Sequence, residues 1–174
     1  MRRYLHCGWI LVFLLYGCAS GPDVASMVTR VPAVTGQSVA GTLVVGEVSG
    51  GKETNPMWMS TIDDASFRQA LFTSLERSGL FEQALLTGDG EYRLDCEILA
   101  QEVKPGFDMS ATLMVRYQLS RAGETVWAEN IFTQYEAKME ETFYGVKRAQ
   151  LANEGAVRKN IAQLIQQLQV FLRK

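Results

Sequence analysis

Tyr92-Arg93-Leu94-Asp95-Cys96-Glu97-Ile98-Leu99-Ala100-Gln101 alternates apolar and polar side chains with period two, and this stretch decides the fold. Tyr92, Leu94, Cys96, Ile98 and Ala100 fall on one face, and Arg93, Asp95, Glu97 and Gln101 on the other. A strand dry on one face and wet on the other belongs to a sheet covered on one side only. Cys96 is therefore expected in the core. Lys104-Pro105-Gly106 ends the stretch, and the same alternation returns at Ala111, Leu113, Val115, Tyr117 and Leu119. Arg121-Ala122-Gly123-Glu124 then turns the chain into a third β-rich segment over 126–135. Connections this short make antiparallel neighbours.

Upstream, residues 42–48 (TLVVGEV) read as a first strand ended by Ser49-Gly50-Gly51. A helix follows, capped from Ser60 or Thr61 with Asp63 or Asp64 in its first turn. Phe67, Leu71 and Leu75 line one face of it, and Gly79 stops it. A short extra strand fits 81–86. A long closing helix begins near Gly145 or Lys147, with Val157, Ile161, Leu164, Ile165, Leu168 and Leu172 as its apolar stripe. The expected class is α+β: a single domain with an antiparallel sheet of about four to five strands covered by two helices, in the order β-α-β-β-β-α.

The N-terminal region reads as an export signal. Arg2 and Arg3 precede an apolar run, and the stretch from Cys7 to Tyr16 is about ten residues, half of the roughly twenty a membrane-crossing helix needs. Leu15-Tyr16-Gly17-Cys18 resembles the box at which bacterial lipoproteins are lipidated and cleaved, with Tyr16 departing from the small residue usual at its place. The resemblance implies that Cys18 becomes the first mature residue, carrying a diacylglyceryl thioether and an N-acyl chain of the palmitate kind. Several acyl chains make a lasting anchor where one is marginal. The expected organisation is a signal peptide at 1–17, a lipidated N-terminus and flexible tether at 18–38, and a periplasmic domain at 39–174. Pro22 and Pro32 among Gly, Ser and Thr suggest the tether. Ala19-Ser20 after the cysteine lacks the aspartate that resembles an inner-membrane retention signal, which favours the periplasmic face of the outer membrane.

Cleavage would remove Cys7 and His6, the only histidine of the chain. Cys96 would be the one remaining thiol, so no internal disulfide could form. Without histidine, Ser-His-Asp and Cys-His catalysis and the usual zinc sites are excluded. The seventeen basic residues would fall to fifteen against nineteen acids, moving the formal net charge from −2 to −4. No basic cluster suits a nucleic acid. Gly46 to Lys52 contains glycines and a lysine, but Glu53 stands where a P-loop needs Ser or Thr. Neither Asp63-Asp64 nor Gly88-Asp89-Gly90-Glu91 supplies a calcium loop. No cofactor, metal or catalytic residue is expected, and the chain reads as a non-enzyme.

Several places could hold a working surface, a sheet edge among them. Pro56-Met57-Trp58-Met59 sets three large apolar side chains in a loop, either as an adaptable partner contact or folded over the sheet edge as core. In the closing helix, Asn153, Arg158 and Asn160 around Gly155 form either a polar patch or the signature of a helix lying close on the sheet. Glu140-Glu141 ahead of Phe143 and Tyr144 reads as a solvated turn.

The run Phe67-Arg68-Gln69-Ala70-Leu71-Phe72-Thr73-Ser74-Leu75-Glu76-Arg77-Ser78-Gly79-Leu80-Phe81, followed by Glu91-Tyr92-Arg93-Leu94-Asp95, Val126-Trp127 and the closing Ala/Leu helix, resembles small Gram-negative lipoproteins that accompany ABC-type lipid transport and outer-membrane maintenance. The resemblance implies an accessory protein held to the membrane by its N-terminal lipid and bound to an envelope protein, with no catalytic residues to carry over. Transport of an apolar ligand between helix and sheet and a histidine-free envelope hydrolase are the alternatives. Oligomeric state is open.

Overall fold

A computed structural model describes residues 21–31, 39–55 and 60–173. The elements are α1 (Val24–Met27), β1 (Val39–Ser49), α2 (Asp64–Ser78), β2 (Phe81–Leu85), β3 (Tyr92–Lys104), β4 (Met109–Arg121), β5 (Glu124–Ala137) and α3 (Gly145–Phe171). The α+β class, the single sheet and the two covering helices agree with the sequence reading, and β2 is the short extra strand. Strand order is β2-β1-β3-β4-β5.

β3, β4 and β5 form the expected antiparallel meander. β1, however, pairs parallel with both β2 and β3, so the sheet is mixed. Parallel neighbours ordinarily need a long crossover. β1 and β2 have one in residues 50–80, which contain α2, whereas β2 and β3 flank β1 and a stagger lets a short link join them: β2 ends with Leu85 opposite Val44, and β3 begins with Tyr92 opposite Leu43. The link at 86–91 therefore only has to step sideways over β1. Gly90 makes that step so closely that a Cβ there would lie 2.8 Å from both the Thr42 carbonyl oxygen and Val44 Cγ2.

One sheet face carries the core. Leu43, Val45, Leu94, Val115, Tyr117 and Leu119 are fully buried beneath α2 and α3, and Cys96 lies among them at 5% exposure. On the wet face Arg93 pairs with Asp95 at 3.0 Å and Arg116 with Glu97 at 2.8 Å, both exposed and therefore of small energetic weight. α2 buries Phe67, Leu71 and Leu75 as its period requires. Its cap is Asp63, whose carboxylate accepts from the Ser66 N–H at 2.8 Å, so Ser60 and Thr61 are not the cap. Asp64 takes the Gly51 N–H instead, at 2.7 Å, and holds the end of β1 against the helix start.

The expected tether is corrected over its described part. Residues 21–31 are not loose: α1 packs on both α2 and α3, Met27 is fully buried and Val28 nearly so. The segment runs in step with α3. The Gly21 carbonyl accepts from Gln150 Nε2 at 3.1 Å, the Asp23 N–H donates to Glu154 Oε1 at 2.8 Å, and the Ser26 carbonyl accepts from Arg158 Nη1 at 2.6 Å. Thr29 N–H donates to Ser74 Oγ of α2 at 3.1 Å. The packed unit thus begins well before residue 39. A tether composition of Gly, Pro and Ser hid one buried methionine and a row of backbone hydrogen bonds.

Candidate functional site

β5 is an edge strand: among the described residues it pairs with β4 alone. Its two halves differ because α3 covers only one. In the second half Ile131, Thr133 and Ala137 are buried under the helix, Thr133 Oγ1 donates to the Ala156 carbonyl at 3.1 Å, and Asn160 Nδ2 donates to the Ile131 carbonyl at 2.9 Å. Lys159 Nζ reaches the Gln134 carbonyl at 3.2 Å. These bonds tie residues 131–137 to the helix.

The first half, residues 124–130, has no such cover. Trp127, half-buried against the core, and Glu129 sit on the helix side, where the last turns of α3 leave an open groove of about 480 Å³ closed by Gln166, Gln167, Val170 and Phe171. Val170 is 62% exposed. On the opposite sheet face Val126 and Phe132 are exposed. An exposed strand edge offers a row of backbone donors and acceptors to an added strand, and apolar pockets beside it select that strand's side chains. Trp127 is the kind of anchor on which such contacts concentrate. Glu124 and Glu129 are the acids along this half, and like charges would oppose pairing with a second copy of the same edge.

The residues singled out from sequence fall elsewhere. Met57, Trp58 and Met59, and Cys18, lie outside the described residues. Asn153 is buried and donates to the Ser60 carbonyl; Asn160 is buried and holds Tyr117 and Ile131. Arg158 is half-buried, bonded to Ser26 and 5.6 Å over the Tyr135 ring. They do not form one surface patch. They are the seams between α3 and three different neighbours, and Gly155 gives the reason: a Cβ there would fall 2.3 Å from Tyr135 Cδ1, so the helix lies directly on the sheet.

Among the described residues no group of three His, Cys, Asp or Glu side chains converges as a metal site, and no helix is long and apolar enough to cross a membrane. The Cys96 thiol is pushed well above its ordinary pKa, first by burial and then by Asp95 beside it, which favours the unreactive thiol form. Sequence reading missed the groove. Its signal was Val126-Trp127-Ala128, three consecutive apolar residues in a strand that would bury only alternate ones, together with Val170 lying off the buried stripe of α3.

The fold recurs in solved structures. A protein of the DUF330 family from Xanthomonas campestris superposes with a TM-score of 0.64 at 12% identity, over 88% of this chain and 96% of the other. The hypothetical protein CT253 from Chlamydia trachomatis gives 0.53 at 10% identity, over 79% of this chain and 98% of the other. A minor lipoprotein from Acinetobacter baumannii gives 0.48 at 11% identity, over 74% and 90%. For the first two, at these identities, the likeness is one of fold. No family model matches the sequence, and no curated protein does.

Proposed function

We propose that the chain is a non-catalytic, lipid-anchored accessory protein of the bacterial envelope that holds a protein partner along the bare half of β5. The observation carrying this reading is the placement of the free edge. The N-terminal segment meets α3 at Gln150, whereas the Trp127 groove lies at Val170, twenty residues and therefore about 30 Å along the helix. An anchor at one end and an uncovered strand at the other suit a domain that presents a surface away from the membrane. Confinement to the membrane raises the effective concentration for partners held there. The Leu15-Tyr16-Gly17-Cys18 box supports the anchor, Ala19-Ser20 supports the outer membrane, and support of lipid transport or of outer-membrane maintenance is the role the sequence resemblance suggests.

The test places a photoactivatable residue at Val126, at Phe132 and, as a control on the far sheet edge, at Glu82, in the full chain expressed in its native envelope. One and the same protein should crosslink from Val126 and Phe132 but not from Glu82, and Trp127→Asp should reduce that yield about tenfold or more, the scale of a lost aromatic anchor. Equal capture from all three positions, or indifference to Trp127→Asp, overturns the edge assignment.

A further inference from the structure

The opposite end of the domain carries a second exposed apolar group that the edge assignment does not use. Phe107, in the β3–β4 turn, is 85% exposed; Phe143 and Tyr144, in the β5–α3 loop, are 80% and 79% exposed. Met139 and Val146 beside them are also exposed. The two segments are held together. Asp108 accepts from the Met139 N–H at 2.9 Å and from Lys138 Nζ at 3.0 Å, and those bonds keep its carboxyl below the usual range. Lys138 also reaches Glu136 at 3.0 Å. The aromatic side chains thus stand on a braced platform.

We propose that this end of the domain rests on the lipid bilayer, with Phe107, Phe143 and Tyr144 entering the headgroup region. The proposal rests on the anchor reading above and follows from where the described chain ends. Residues 21, 23 and 26 meet α3 at 150, 154 and 158, so the segment climbs α3 away from its N-terminus, and its first residue, Gly21, lies at the Gly145 end of the helix. Three peptide units join Cys18 to Gly21 and span at most roughly 11 Å. Gln150 itself lies about 7 to 8 Å along the helix from Gly145. A lipid on Cys18 therefore cannot enter a bilayer unless this end of the domain is close to it.

Composition suits a lipid surface. Tyr144 suits the membrane–water boundary, where an apolar body and a polar tip are both accommodated, and Phe107 and Phe143 supply purely apolar groups to bury beneath the headgroups. Charge around them cancels: Lys104, Lys138, Lys147 and Arg148 stand against Asp108, Glu136, Glu140 and Glu141. With no basic excess, contact depends on apolar insertion and not on anionic lipid. A rigid domain seated on its aromatic end would also fix the direction in which the β5 edge points.

The experiment uses the lipidated full-length product in phosphatidylcholine vesicles. An environment-sensitive fluorophore is attached at Phe143→Cys or, at the other end, at Thr125→Cys; buried Cys96 and acylated Cys18 do not compete for the label. Quenching of the Phe143→Cys label by aqueous iodide should fall about threefold or more on vesicle binding, while the Thr125→Cys label stays fully quenchable. Phe107→Ser together with Tyr144→Ser should restore quenching at position 143 while the protein still floats with vesicles. Flotation with equal quenching at both sites overturns the seating alone. Protection at 143 that appears without vesicles as protein concentration rises assigns the surface to a second copy and overturns it as well. Loss of flotation for the cysteine-18 product, matching Cys18→Ser, overturns the anchor and the seating together.

Discussion

Asn160→Leu is expected to destabilise the domain by about 2–4 kcal/mol, although leucine keeps asparagine's branching and its number of side-chain heavy atoms and lies in an apolar setting. Asn160 is fully buried. Its carbonyl accepts from the Tyr117 hydroxyl at 2.7 Å, and its amide donates to the Ile131 carbonyl at 2.9 Å and to Thr133 Oγ1 at 3.2 Å. Tyr117 is itself fully buried, and burial pushes its hydroxyl well above the usual pKa, so it stays a neutral donor that needs an acceptor. Leucine strands that hydroxyl and removes a donor from Ile131. An unpaired buried group costs about 1–3 kcal/mol, and two are affected. Against a total stability of about 5–15 kcal/mol the loss is large. Chemical denaturation of the full mature chain measures it. Tyr117→Phe added to Asn160→Leu should recover about 1 kcal/mol or more, because removing both partners leaves less unsatisfied than removing one. A single variant within about 0.5 kcal/mol of the parent, or strictly additive effects, would show that the bond is dispensable.

Asn160 also shows where sequence reading stopped. Alternation at 92–100 and 111–119 exposed the sheet because each side chain's face is fixed by its position, and the stripe from Val157 to Leu168 exposed the closing helix in the same way. Both are local periods. The buried asparagines were visible only as irregularities, since their partners Ser60, Tyr117 and Ile131 are 93, 43 and 29 residues away. Gly155 was the better clue, because a glycine inside a helix has a cost that close packing explains. The direction of β1 was not legible. Its run of valines fits either pairing, and the stagger that lets β3 follow β2 across β1 by a short link is a property of three strands together. Which sheet edge is free was not legible for a related reason: Trp127, half-buried against the core, marks a groove only once the length of α3 over β5 is known.

Met27 provides the sharpest separation between a tether and a structural segment. Were residues 18–38 only a spacer, Met27→Ala would change stability by no more than about 0.5 kcal/mol, as surface substitutions do. The structure buries Met27 completely between α2 and α3. Truncating a buried methionine to alanine costs about 2–5 kcal/mol, set by how far the site collapses. Collapse here is limited, because bonds from Gln150, Glu154, Arg158 and Ser74 hold the segment on both sides of Met27. The expected loss is about 3 kcal/mol, read as a fall in Tm of roughly 6–12 °C for a domain of this size. The effect should extend to Glu154. Its carboxylate is 1% exposed, and Oε1 accepts from both the Asp23 N–H and Gln150 Nε2, so loosening the segment leaves a buried acid short of one donor. Met27→Ala should therefore gain stability from Glu154→Gln relative to the same change in the parent, since a neutral amide tolerates the lost donor better than a carboxylate. A Tm change under about 1 °C for Met27→Ala would return this segment to the status of a tether. With a full effect, an anchor at Cys18 as proposed above would be joined by only a few residues to the hydrophobic core, and the membrane and the sheet edge would belong to one mechanically continuous unit.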